Sequence, residues 1–470
     1  MIIGANSVPK GSKLEADLVI VGTGAAGISL AFKFANSPLK VVMIESGKMQ
    51  GNDNLQELNR FETTGLPIDH FSRMRSFGGT TTLWGGKWKP HDESDFLERD
   101  WVPHSGWPIN RSELDRYYKE SADILDMPVI EDRDVHGFLE SEILKAHTFK
   151  NVPDQYLDFG KRFETLLSKS KNIQVYTEAT VVCLEHKSDT IEQIHIKTLE
   201  GNEFSVKGKM VILACGGIEN ARLLLLNNIG NEFDQVGRYY MDHPKGDAGT
   251  LTPIDSKVEV SRTIGFGLSE KAQRDNKALN SYVLFVPTYK RNEILKKWPR
   301  IPRGITRRIL NLLFGEPTQI SSFVVKNYME QAPDPENRIT LGESVDAFGN
   351  KLPKIHWTIR DLDKHSVRVL HEALQEEAVR KNFGTMESSV FEESGPWPIS
   401  TDAAHHMGST RMGTDPKTSV VDKDSRVHSM RNLYIAGSSV FPTGGASSAT
   451  TTIIALTLRL ANHLKEKGLV

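Results

Sequence analysis

The stretch Ala16–Gly47, ADLVIVGTGAAGISLAFKFANSPLKVVMIESG, decides the fold. Leu18–Val21 is a short, wholly apolar run of the kind buried on both faces of a parallel sheet. Val41–Ile44 resumes that sheet after an intervening helix. The turn between them reads Gly22-Thr23-Gly24-Ala25-Ala26-Gly27. In such a unit the first glycine makes the tight turn, the second lets a pyrophosphate approach the backbone, and the third lets helix and strand pack closely. The free N–H groups of the helix start then face phosphate. Glu45, about 20 residues beyond the turn at the end of the second strand, is placed to accept hydrogen bonds from a ribose. Gly22, Gly24, Ala25, Ala26, Gly27, Glu45 and Ser46 are therefore the first candidates for binding a dinucleotide.

At 470 residues the chain exceeds one ordinary core, so two domains are expected. The nucleotide-type strands recur far apart, which predicts an interleaved division. Residues 1–95, 172–250 and 400–470 form the nucleotide-binding domain, and 96–171 and 251–399 the substrate-binding domain. A net charge of −2 gives no general reason to expect nucleic acid as a partner. Cys183 and Cys215 sit inside apolar, strand-like runs and read as buried free thiols, which excludes a disulfide scaffold. No metal site is expected. The opening MIIGANSVPKGSKLEADL lacks a signal-type apolar run and a twin arginine, and a cytoplasmic location is the expectation.

A nicotinamide enzyme usually carries a second mononucleotide-binding half directly after the first. Here no second glycine fingerprint follows. Strands of nucleotide-domain character return only at ATVVCLE (179–185), VILACGG (211–217) and LYIAGSS (433–439). One nucleotide fold assembled from distant pieces fits a long, extended cofactor, and FAD is the reading it favours.

Read in order, VGTGAAG with Glu45, FGGTTTLWGG, VILACGGIENARLLLL, VGRYYMDHP, EQAPDPENRITL, HHMGSTRMG and LYIAGSSVFPT carry a family resemblance. The chain resembles the glucose-methanol-choline (GMC) oxidoreductases, FAD enzymes that oxidise alcohols, and most of all their sugar-oxidising branch around pyranose oxidases and bacterial sugar dehydrogenases. The resemblance implies a mixed α/β (α+β) fold, a Rossmann-like FAD-binding domain interleaved with an antiparallel-sheet substrate domain.

Bare backbone and hydroxyls in FGGTTTLWGG suit a loop pressed against a flat polar ring system. By resemblance this loop, with Gly78, Gly79, Thr80, Trp84, Gly85 and Gly86, lies along the isoalloxazine. Pyranose oxidases carry a covalently bonding histidine before the matching tryptophan, whereas this chain has Leu83, so the FAD is expected to be noncovalent. Ala214 and Gly216 become a second support for the nucleotide, Val181 and Val182 lie near adenine, and Gly437 and Ser438 belong to the last cofactor-binding strand.

Ser447 and Ser448 are good N-cap residues, and apolar positions 453, 456, 460 and 464 repeat at helical spacing. If that helix faces the pyrimidine edge of the flavin, as in the family, its partial positive charge favours the reduced ring. An alcohol gives up its carbinol hydrogen as hydride only as its hydroxyl proton also leaves, so a base must stand beside the flavin. Imidazole suits that work. In the family pattern H-x-x-G-x-x-R-M-G the first histidine is the base, which is His405, and His406 is its neighbour or the alternative. Family members set a second histidine or asparagine opposite the base; the flanks of VFPTGGASSATTT put Ser448 there. A hydroxyl can hold a substrate oxygen by one hydrogen bond but cannot be a cation. His243, in MDHP, falls in the same region or is structural.

In the middle of the chain, SSFVVKNYMEQ and KLPKIHWTIR alternate as antiparallel strands of one sheet beside the flavin would. The basic, apolar-edged segment 290–314 suits a solvated surface helix, or a peripheral contact with a membrane or a protein. The leading reading is an FAD-dependent enzyme oxidising a sugar or glycoside hydroxyl, its electron acceptor unspecified. Two others stay open: a lyase or isomerase on the same fold, prompted by Ser448, and a noncatalytic nucleotide-binding partner protein.

Overall fold

The computed structural model describes residues 1–51, 53–127, 138–258, 264–290 and 319–468. The predicted strands come together in one eight-stranded sheet. Its order is Ile2–Gly4, Ile173–Thr177, Val41–Ile44, Lys13–Val21, Glu203–Leu213, Thr190–Lys197 and Thr180–Lys187, with Leu433–Ile435 also pairing Glu203–Leu213. The five strands from Ile2–Gly4 through Glu203–Leu213 run parallel, as does Leu433–Ile435, and the remaining two pairings are antiparallel. Leu18, Val19, Ile20, Val41, Val42 and Met43 are fully buried, as unbroken apolar runs in a doubly covered sheet must be. Each such side chain contributes about 1.5–3 kcal/mol by leaving water. The helix Ala25–Phe34 follows the glycine turn and packs on the C-terminal helix Ala449–Glu466.

The second layer is a six-stranded antiparallel sheet, in the order Gly384–Ser388, Lys245–Pro253, Ile320–Tyr328, Tyr282–Tyr289, Ile264–Leu268 and Leu144–Thr148. Alternation along Ile320–Tyr328 fixes its faces. Phe323 and Val325 are buried in one cluster with Leu370 and Leu374 of the helix Asp361–Arg380. Ser322, Val324, Lys326 and Tyr328, on the other face, are only half-buried.

Two sequence expectations change. SSFVVKNYMEQ lies in this sheet, but KLPKIHWTIR does not. Lys351–Trp357 pairs with Arg338–Val345 and, in parallel, with Glu62–Gly65, forming a separate three-stranded sheet. Its Ile339, Ile355 and Trp357 are buried in the nucleotide-side core. Local alternation reports a strand but not its partner, and the partner here lies almost 300 residues upstream. Cys183 and Cys215 are free but only half-buried, and Cys215 lines a cavity. The strand Lys245–Pro253 belongs to the six-stranded sheet and crosses position 250. Of the basic segment 290–314, residues 291–314 lie outside the described residues. Among the described residues, no helix is long and apolar enough to cross a membrane.

Candidate functional site

A cavity of about 850 Å³ is lined by residues of both large sheets, near the upper end of the range for small-molecule sites. Eighteen of the 22 site residues expected from sequence line it. They are Gly22, Gly24, Ala25, Ala26, Glu45 and Ser46 at the first turn, and Gly79, Thr80, Trp84 and Gly85 in the threonine-rich loop. Val181, Ala214, Gly216, Gly437, Ser438, His405, Ser447 and Ser448 complete the set.

The other four stand away from the cavity. A Cβ on Gly27 would lie 2.0 Å from the carbonyl oxygen of Gly22, so that glycine serves helix–strand packing. At Gly78 an added Cβ would meet the Gly160 nitrogen at 2.6 Å, and at Gly86 the Leu157 Cδ2 at 2.2 Å. Both are tight approaches behind the loop. Val182 alternates with Val181 along its strand and faces the other way.

Three of the cavity-lining glycines behave differently. A Cβ on Gly24, Gly85 or Gly216 would meet nothing within 4 Å. These positions leave a cradle that side chains would have filled, at the start of a helix and beside Glu45. Glu45 accepts hydrogen bonds from Thr23 N–H (3.0 Å), Thr23 Oγ1–H (2.6 Å) and Gly47 N–H (2.7 Å). Burial pushes its pKa up, and these donors oppose that push. A bare-backbone cradle, free helical N–H groups and a strand-end carboxyl form a donor and acceptor set that fits FAD.

An arginine cluster on this side escaped the sequence reading. Arg73 Nη1 and Arg75 Nη2 meet Glu219 at 2.7 and 3.3 Å, and Arg222 bridges Glu219 and Asp346 at 3.2 and 2.7 Å. All five side chains line the cavity. Burial opposes ionisation of Glu219, yet Arg222, Arg75 and Arg73 hold its carboxyl well below the usual range. Three cations against two carboxylates leave a net positive charge, which suits an anionic diphosphate. The only signal was the alternating basic pair in SRMRS ahead of the glycine loop.

At the reacting end, both histidines of HHMG line the cavity, but their rings are engaged differently. His406 has both nitrogens occupied, Nδ1 with Tyr240 Oη at 2.7 Å and Nε2 with Ser72 Oγ at 3.0 Å. His405 Nδ1 lies 2.9 Å from His243 Nδ1, and His243 Nε2 lies 2.9 Å from the Gly445 carbonyl oxygen. A carbonyl only accepts, so His243 carries its proton on Nε2 and accepts at Nδ1. His405 must then donate from Nδ1, which leaves the lone pair on its Nε2. Among the described residues that nitrogen has no partner. Burial, with His243, His406 and Lys245 nearby, pushes the His405 pKa down to about 3, so the ring is neutral.

The frame around this pair is rigid. The Asp242 carboxylate accepts backbone N–H bonds from His243 (2.6 Å) and His405 (3.1 Å). Gly445 N–H donates to Glu330 at 3.2 Å, and Glu330 is held by Arg99 through contacts of 2.8 and 3.0 Å. At Gly445, φ is +55° and a Cβ would fall 2.2 Å from Asp95 Oδ2, so no side chain is tolerated there.

Ser448 is the N-cap residue of Ala449–Glu466, yet its hydroxyl makes no cap bond and has no partner among the described residues. Ser447 Oγ bonds His91 at 2.9 Å instead. Trp84 is fixed by Nε1–H donating to the Leu157 carbonyl at 2.8 Å, and Leu83 lines the cavity beside it. The facing wall carries Lys245, Tyr282, Leu284, Tyr328 and Phe149, none of which was named from sequence.

Residues 333–457 match the family model described as GMC oxidoreductase. The chain is 22% identical to the fructose dehydrogenase large subunit of Gluconobacter japonicus, over 96% of this chain and 98% of that protein. It is 27% identical to the pyranose 2-oxidase of Tricholoma matsutake, over 85% of this chain and 74% of that protein. Among solved structures, an Aspergillus oryzae formate oxidase studied for FAD modification shares the fold, with a TM-score of 0.59 at 18% identity, covering 98% of this chain and 100% of that one. Residues 333–457 therefore carry a GMC oxidoreductase domain, and the chain is an FAD-dependent oxidoreductase acting on CH–OH donors.

Proposed function

We propose that this protein oxidises a hydroxyl of a sugar or glycoside, with His405 as the base and FAD held noncovalently. The observation that carries the reading is the unpartnered lone pair on His405 Nε2, directed by the His243 tautomer and lining the same cavity as the glycine cradle. FAD, when bound, supplies the acceptor for the carbinol hydrogen, which leaves as hydride with both electrons of the C–H bond. His405 Nε2 takes the hydroxyl proton, and the C–O bond becomes a carbonyl. The resulting imidazolium keeps its Nδ1–H bond to His243, so the acquired charge remains hydrogen-bonded.

Ser448 Oγ, at the helix start, holds the substrate oxygen by one hydrogen bond. The first turn of Ala449–Glu466 adds unpaired N–H groups and a partial positive charge where negative charge builds up on reduction. Gly24, Gly85, Gly216 and Glu45 hold the cofactor, with the arginine cluster facing its phosphates. Leu83 has no nucleophilic atom, which supports noncovalent binding at that loop.

An absorbance spectrum of the purified protein tests this reading. Flavin bands that are released by denaturation, and that bleach under anaerobic sugar or glycoside, are the expected result. Flavin that stays bound but is reduced by no alcohol rules out this activity.

A further inference from the structure

Strand register sets a row of side chains along the wall that faces the glycine turn. Lys245 stands directly opposite Tyr328, and Tyr328 directly opposite Tyr282, on three neighbouring antiparallel strands. Directly opposed residues project from the same face, so an ammonium and two phenol rings share one rung. The Tyr282 and Tyr328 rings are stacked, with centroids 5.0 Å apart and planes within 7°. Phe149 packs on Tyr282 at 4.8 Å. Two residues beyond Phe149, the Asn151 amide oxygen holds the Lys87 ammonium at 2.7 Å. Lys245, Tyr328, Tyr282, Phe149 and Lys87 all line the cavity. The row is an aromatic floor with a cation at each end.

Among the described residues neither lysine has an ion-pair partner. Lys87 bonds a neutral amide, and burial lowers its pKa. Two carboxylates of the same lining, Asp402 and Asp69, accept backbone N–H bonds and pair with neither lysine. Asp402 accepts from Asp69 N–H (2.9 Å) and Ala404 N–H (3.2 Å), and Asp69 from Phe71 N–H (2.9 Å). On the nucleotide side, by contrast, each arginine of the cluster meets a carboxylate. Partly desolvated cations without counterions are costly, and an anionic ligand offsets that cost. Stacked aromatic rings supply an apolar face with polar edges, which suits the C–H face of a sugar ring.

We propose that the substrate is an acidic sugar, a pyranose or pyranoside carrying one carboxylate. Lys245 binds the carboxylate, the sugar ring rests on the Tyr282–Tyr328 pair, and Lys87 adds to the positive potential that draws the anion in. This proposal rests on the alcohol-oxidation reading above.

Anaerobic reduction of the FAD-loaded protein tests it, with glucuronate, methyl glucuronide, methyl glucoside, glucosamine and glucose 6-phosphate compared side by side. The two carboxylate sugars are expected to reduce the flavin at the lowest concentrations, with an advantage that shrinks as salt is added. Glucosamine, which brings a second ammonium to Lys245, is expected to be the poorest. Lys245→Met should raise the half-saturating glucuronate concentration about tenfold while leaving that of methyl glucoside within about twofold. The flavin spectrum reports whether the variant is folded, and Lys245→Arg should restore most of the loss. Equal shifts for both sugars overturn the proposal, as does a preference for glucose 6-phosphate over glucuronate. Reduction by neutral glycosides alone overturns it and spares the alcohol-oxidation reading; reduction by none of the five overturns it, and only flavin reduced by no alcohol at all sinks both.

Discussion

On the nucleotide-binding side the cavity wall beside the arginine cluster is bare backbone: at Gly24, Gly85 and Gly216 a Cβ would find open space, and helix starts present bare N–H groups. On the six-stranded-sheet side the wall is side chains, Lys245, Tyr328 and Tyr282 placed in one row by strand register. His405 and Ser448 stand with these as residues whose side chains, not backbone, meet the reacting atoms in our reading. The difference separates two jobs. A backbone wall fixes the position of one flat cofactor, while side-chain functional groups choose and activate the substrate, so substitutions on the two walls should fail in different ways.

Gly24→Leu tests the backbone wall and carries the largest expected effect. The added side chain occupies the cradle, so flavin bands should be missing from the purified variant and all flavin-dependent activity with them. Retention of a full flavin complement would show that the cradle is not what holds the cofactor. His405→Ala should do the opposite, keeping the flavin spectrum while slowing its anaerobic reduction about 10²- to 10⁴-fold. An unchanged rate removes His405 from the chemistry.

His243→Phe removes the acceptor that directs the His405 proton. We expect reduction slowed about 10- to 100-fold, the loss of one hydrogen bond to a group that becomes charged. Half-saturating substrate concentration should stay nearly unchanged, which separates positioning from binding. A rise in that concentration without a slower rate would assign His243 to substrate binding instead. Ser448→Ala should cost about 2- to 10-fold, the range for a single neutral hydrogen bond. A loss as large as that at His405 would show that the hydroxyl does more than hold an oxygen.

The smallest expected effect is none. With the His405 pKa pushed down to about 3, the ring is already neutral across the neutral range, so the rate constant for reduction should be flat there. A rate that falls as pH is lowered through 7 would mean that His405 is protonated in the working site, or that Asp242, whose carboxyl burial and Asp402 push up to about 7, controls it.

The sequence by itself determined the backbone half of the molecule. The spacing of Gly22, Gly24 and Gly27, the buried runs Leu18–Val21 and Val41–Ile44, and Glu45 at a strand end are local constraints, written where they act. The resemblance of HHMGSTRMG to a family pattern singled out His405. What it could not supply were arrangements made by residues far apart in the chain. Glu62–Gly65 joins Lys351–Trp357, Arg73 meets Glu219, and His243 meets His405 across 162 residues. Which of two adjacent histidines keeps a free nitrogen followed from a carbonyl at Gly445 and a hydroxyl at Tyr240. Hydrogen-bond partners and strand register are properties of the assembled chain, because each depends on distances that local spacing does not fix.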